Sequence, residues 1–151
     1  MQETEKSVPV SGKHGASPGD LTTSSELRRL GLRTMSSVVN TSLPEDADLR
    51  DEGLGAELVE IGLVSVWAEL WAREGLARRD RSLVTLGILI ALGAEDEIGS
   101  HVRIGLNNGL TEDEIAEVLY HAAGYAGFPR AMAARKAARK ALAPDPGRGD
   151  G

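Results

Sequence analysis

No cysteine occurs among the 151 residues, which excludes disulfides, thiolate metal sites, CxxC redox chemistry and a cysteine nucleophile. A basic surface is missing as well. The 17 Lys and Arg are outnumbered by 23 Asp and Glu, for a net charge of −6, whereas a nucleic-acid partner needs a basic face that releases counterions from phosphates. The one basic cluster, Arg130 to Lys140, is interleaved with alanines and reads as a solvated helix face. The longest apolar run, Leu83 to Leu92, is too short to span a bilayer, and no charged segment followed by an apolar run opens the chain. The expectation is therefore a cytoplasmic protein with no nucleic-acid and no membrane partner. Gly-x-Ser-x-Gly, P-loop and Gly-x-Gly-x-x-Gly units are also lacking, so nucleotide-dependent chemistry is not expected.

Alternating β-branched runs bounded by turn pairs are absent too, and every periodic segment is helical. The fold class expected is all-α. Residues 1–22 mix Ser, Gly, Pro, Thr and charges without periodicity and read as a disordered arm that includes His14; residues 143–151 read as a flexible Pro/Gly tail, its Arg-Gly-Asp triplet a chance match. A helical domain should fill residues 23–142. Within it, a helix capped by Ser24 or Ser25 should run through Val39, and a second should run from about Leu54 to Trp71, with Leu58, Ile61, Val64 or Ser65, and Ala68 on one face. A third, Arg81 to Leu92, is apolar on all sides and should be the buried central helix. The last runs from about Arg130 to Leu142.

Two of the three histidines occur at matched spacings. His101 follows Glu97 by four residues and His121 follows Glu117 by four, so on helices each imidazole lies over a carboxylate one turn earlier. Asn107-Asn108-Gly109 should end the first of these helices, and Thr111 with Glu114 spells a capping box that starts the second. Antiparallel helices so joined could bring both histidines to one cleft. Ile98, Val102 and Gly105 should face the core while His101, Gly105 and Asn108 form a stripe, and glycine at 105 costs roughly 1 kcal/mol of helix stability against alanine, leaving room for a ligand or a close helix crossing. On the next helix Ile115, Leu119, Ala122 and Ala126 share the core face, flanked by Glu114, His121 and Tyr125.

Acid, base or metal ligand are the chemical roles open to these histidines, and a partly buried imidazole paired with its glutamate is the structural alternative. A carboxylate-bridged metal site would use Glu-x-x-His; the spacing here is Glu-x-x-x-His, so no metal is expected. Trp67 and Trp71 stand one turn apart with Glu69 between them, as core aromatics or as the wall of a ligand cleft. Arg79 and Arg81 could pair with carboxylates at a helix start or of another subunit, and an arginine drawn into a core is also a means of binding a carboxylate substrate.

The run WAELWAREGLARRDRSLVTLGILIALGAEDEIGSHVRIGLNNGLTEDEIAEVLYHAAGYAGFPRAMAA resembles the carboxymuconolactone decarboxylase family, whose members read like W-G-x-x-W-x-R-x-G-L, then R-S-L, H-V-x-x-A-x-N-N-G, E-I-x-E-V-L and Y-x-G-x-P. The resemblance covers roughly Trp67 to Leu142, with Ala68 in place of the glycine of the first motif. It implies an alkylhydroperoxidase D-like helical bundle that assembles with itself into a homo-oligomer, often a hexamer built from dimers, with active sites near subunit contacts. The peroxidase sister group carries Cys-x-x-Cys-x-x-x-His. Here the cysteine positions hold Ala94 and Glu97 and the histidine position holds His101, so peroxidase chemistry is excluded and His101 gains weight.

The reaction implied is loss of carbon dioxide from γ-carboxymuconolactone or a related lactone acid, as a carboxy-lyase. The departing carboxylate is conjugated to the lactone carbonyl, so the electron pair forms a delocalised dienolate and no cofactor is required. The protein need supply hydrogen bonds to the developing oxyanion and a proton for carbon. His101 or His121 would deliver the proton, Tyr125 and Asn108 would stabilise the oxyanion, and Arg81 would hold a second carboxylate, with Trp67, Glu69 and Trp71 contributing to the substrate pocket. A biosynthetic tailoring enzyme that isomerises or cyclises a polyketide-like compound on the same scaffold is the alternative; a non-catalytic helical binding or assembly protein is a further one.

Overall fold

The computed structural model describes residues 24–144, so the expectations for the arm at 1–22, for His14 and for the Arg-Gly-Asp triplet lie outside the described residues. Among the described residues all regular structure is helical: α1 (Ser24–Val39), α2 (Leu58–Gly62) continuing into a π-helical segment (Leu63–Trp71), α3 (Arg78–Leu92), α4 (Glu95–Asn107), α5 (Glu112–Tyr125) and α6 (Phe128–Leu142). No described helix is long and apolar enough to cross a membrane.

The ends of α4 and α5 form as their residues dictate. Gly109 takes φ 96°, its N–H donates to Leu106 O at 3.0 Å, and the N–H of Leu110 donates to Gly105 O at 2.9 Å. This pair of bonds closes the helix on a left-handed glycine and satisfies two carbonyls that would otherwise lack partners. Thr111 then accepts from Glu114 N while the Glu114 carboxylate accepts from Thr111 N, and α5 begins. Gly93, at φ 71°, ends α3 in the same way, with the Arg130 side chain lying where a Cβ would stand. Pro129 sits in the first turn of α6, where its missing N–H costs nothing.

Two apolar clusters result. The larger joins α3 to α6 through Leu86, Ile90, Ile98, Val102, Leu110, Ile115, Ala122, Ala134 and Ala138; each fully buried Leu, Ile or Val contributes roughly 1.5–3 kcal/mol. The smaller brings together Val38, Trp71 and Ile104, with Trp67 against them. An ion pair braces α1: the Arg28 guanidinium donates to both oxygens of Glu60 at 2.9 and 2.7 Å and also to Ala47 O, and Glu60 accepts from Leu49 N at 3.0 Å. Gly31 lets α1 touch the π segment, since a Cβ there would lie 2.3 Å from the Leu63 carbonyl oxygen.

Two expectations need correction. Helix α3 is not buried on all sides: Ser82, Leu86 and Ile90 face the core, while Val84, Ile88 and Leu92 are each more than half exposed. An all-apolar run shows that no face demands water, not that every face is covered. The expected helix over Leu54 to Trp71 is a turn followed by α2 and the π segment. The wider π turn rotates the buried face, so Leu63, Ala68 and Trp71 are inside while Leu58 and Ile61 stand exposed.

Candidate functional site

The sequence-predicted site residues divide between two places. The first is the seam between the two apolar clusters. On α4, His101 lies about 60° around the helix from Ile98 on one side and about 60° from Ile104 on the other, and these two belong to the larger and the smaller cluster respectively. His101 is half-buried, and its Nδ1 is fully buried with no hydrogen-bond partner. Burial pushes its pKa below the ordinary imidazole value, while the Glu97 carboxylate one turn earlier pulls it up. The i−4 pairing expected between Glu97 and His101 is thus present electrostatically.

Arg81 reaches the turn that follows Trp71 of the smaller cluster. Its Nη2 donates to Arg73 O at 2.8 Å, two residues past Trp71, and its Nε is buried without a partner. Trp71 is nearly fully buried and packs with Ile104 and Val38; its ring lies 5.8 Å from that of Trp67, tilted by 31°. Trp71 therefore serves the core, Trp67 covers it and Glu69 is exposed. Asn108, two turns beyond His101 on one stripe, donates its Nδ2 to Ser82 Oγ at 3.0 Å. Ser82, next to Arg81 and almost fully buried, is a residue that the sequence reading missed; a lone hydroxyl at the entrance to an apolar helix was the available signal. Asn107 ties α4 to the end of α1 through Ser37 O at 3.2 Å and Val38 O at 2.8 Å.

The second place is a cleft of about 710 Å³ between α3 and α5. Its walls are apolar, and its polar groups are Arg79, Glu114, Glu117, His121 and Tyr125. His121 is exposed and stacks on Tyr125, centroids 4.8 Å apart and planes tilted by 33°. Arg79 pairs with Glu114, as expected of an arginine facing a helix start. The Thr111 N–H, and after it Arg79, holds the Glu114 carboxyl below its ordinary range. Neither His101 nor Arg81 lines this cleft, and Arg81 lies about 160° around α3 from Leu83 of the cleft wall. The two histidines do not share the cleft.

The space beside His101 also has an owner. A Cβ on Gly105 would meet Leu110 Cδ1 at 3.0 Å and Leu86 Cδ1 at 3.8 Å, so the glycine seats the leucine that closes α4, and it is the close packing that the structure selects over room for a ligand. Among the described residues no group of three or more His, Asp or Glu is arranged to hold a metal ion.

Residues 63–140 match the model of the carboxymuconolactone decarboxylase family, and the chain belongs to that family. It is similar to 4-carboxymuconolactone decarboxylase of Acinetobacter baylyi, 52% identical over 68 residues that cover 45% of this chain and 51% of that protein. It is also similar to nitrosuccinic acid decarboxylase of Metarhizium robertsii, 37% identical over 113 residues that cover 65% of this chain and 79% of that protein. The chain thus spans about half the length of the first of these relatives.

Proposed function

We propose that the protein is a decarboxylase of γ-carboxymuconolactone or a close lactone acid, with His101 as proton donor and Arg81 as carboxylate anchor. One observation carries the assignment of these roles. Among the described residues, the buried side-chain nitrogens without a hydrogen-bond partner are His101 Nδ1 and Arg81 Nε. Buried polar atoms are nearly always satisfied, and leaving one unmade costs about 1–3 kcal/mol. A carboxylate ligand is an acceptor that either nitrogen, as an N–H, could satisfy.

In the reaction the C–C bond to the departing carboxylate breaks, carbon dioxide leaves, and the electron pair moves into the conjugated lactone carbonyl. The developing oxyanion accepts hydrogen bonds, and carbon then takes a proton from the His101 imidazolium, which is replenished from water. Free His101 is held towards the neutral form by burial; an anionic substrate beside it would raise its proton affinity at the moment the proton is needed. The substrate's own conjugation takes up the electrons, so the step requires no cofactor. Asn108, anchored by Ser82, has a further N–H to offer the oxyanion.

The similarity to a nitrosuccinic acid decarboxylase favours a second substrate of the same logic, in which a nitro group in place of the lactone takes up the electron pair. Carbon dioxide release from γ-carboxymuconolactone and, in parallel, from nitrosuccinic acid tests both. Release from the first is expected; release from the second alone would move the protein to nitro acids. A folded, helical protein that releases carbon dioxide from neither would overturn the proposal.

A further inference from the structure

We infer that the segment 44–62 of one copy docks into the α5–α6 groove of a second copy of this chain. The segment is acidic: Glu45, Asp46, Asp48, Asp51, Glu52, Glu57 and Glu60 stand against Arg50 alone. Asp48 is paired with Arg50 and Glu60 with Arg28. Asp51, Glu52 and Glu57 form no ion pair among the described residues. Among these carboxylates the segment exposes Leu54, Leu58 and Ile61, spaced four and three residues apart, the last two at 71% and 59%.

Helix α6 has the opposite character. Arg130, Arg135, Lys136, Arg139 and Lys140 lie on it with no acidic residue. Together with α5 it forms a groove of about 420 Å³ whose walls include Tyr120, Phe128 and Met132, exposed at 68%, 73% and 56%. Arg135 and Arg139 rim it, against one carboxylate, Glu112. Neither arginine has an ion-pair partner among the described residues. An apolar groove with unpaired cations and an apolar knob with unpaired anions are complementary in both respects. Burial of the leucines supplies affinity, while the rim charges set orientation and encounter rate.

Each chain carries one knob and one groove, so the contact is made reciprocally in a twofold pair or head to tail in a ring. The inference is independent of the catalytic proposal, since it uses neither His101 nor Arg81.

Light scattering on the wild type and charge-reversed variants tests it. The wild type should exceed the single-chain mass of 16.0 kDa. Arg135→Glu with Arg139→Glu, and separately Glu52→Lys with Glu57→Lys, should each at least halve the particle mass at equal concentration; all four positions are exposed, so the fold should survive, as circular dichroism would verify. Mixing the two variants should restore assembly, because the intact knob meets the intact groove and the reversed knob meets the reversed groove, and combining all four substitutions in one chain should restore it for the second of these reasons. A wild type at the single-chain mass, or a reversal that leaves the mass unchanged, overturns the inference. So does a mixture whose particles stay the size of the separate variants.

Discussion

Helices α4 and α5 each carry a histidine one turn after a glutamate, yet the two imidazoles occupy opposite surroundings. His101 is wedged between two apolar clusters with a sealed, unpartnered nitrogen. His121 is exposed at the mouth of a cleft and stacked on Tyr125. The spacing that puts a carboxylate under an imidazole is a property of one helix; burial is a property of what packs against that helix. Helix α4 is flanked on both sides, by α3 and α6 and by α1 with the tryptophans, whereas α5 presents its histidine stripe to an open cleft. The same local pattern therefore yields one desolvated group and one solvated group, and desolvation is what makes a hydrogen bond or a proton transfer costly to leave unmade.

The largest effect should come from removing one histidine at a time. His101→Gln keeps volume and polarity and should leave helicity intact, yet lower turnover on γ-carboxymuconolactone by about 10²-fold or more. His121→Gln should stay within a few-fold. Steady-state carbon dioxide release measures both. The reverse ranking would break the comparison and place the proton donor in the α3–α5 cleft, with Arg79 as the anchor in place of Arg81.

Much of this architecture was legible in the residues. The Asn-Asn-Gly stop, the Thr111 capping box, the core face of α4 and that of α5 except Ala126, which lines the α3–α5 cleft, were legible, because a glycine in the left-handed region and a hydroxyl one residue before a helix need no distant partner to act. What was not legible depended on three dimensions. The π segment lies where α1 crosses at Gly31 and ends on the buried Trp71, and no spacing in WAELW announces it. The exposed face of α3 could not be told from a buried one, since valine, isoleucine and leucine suit both. The candidate site shows the same division: His101 and Arg81 were picked out by sequence, but the burial of one nitrogen of each, and the separation of His121 and Tyr125 from them, required the packing of α3 against its neighbours.

A smaller effect separates the role of the α5 start in folding from any role in chemistry. Thr111→Ala removes the cap that bonds Glu114 N at 3.1 Å and should cost about 1 kcal/mol of stability in denaturant titration. Arg79 should still pair with Glu114, so the cleft keeps its charges, and turnover should change less than twofold. A tenfold loss of turnover with little loss of stability would show that the geometry of α5, and with it His121, takes part in the reaction.

The smallest effect is the acid sensitivity that buried His101 gives the fold. Because burial lowers the His101 pKa in the folded protein, the unfolded chain binds that proton more readily in the window between its ordinary pKa of about 6.5 and the lower folded value. Stability must then fall as pH drops from about 6.5 through that window and level off below it, with no contribution from this group above about pH 7. Glu97 opposes the shift, so Glu97→Gln should deepen the loss and His101→Gln should remove it. Denaturant midpoints of the three proteins between about pH 7.5 and pH 5 measure this, with His121→Gln as the control. An identical acid limb in wild type and His101→Gln would mean that the imidazole is solvated in the native protein, and the contrast between α4 and α5 would then rest on stacking alone.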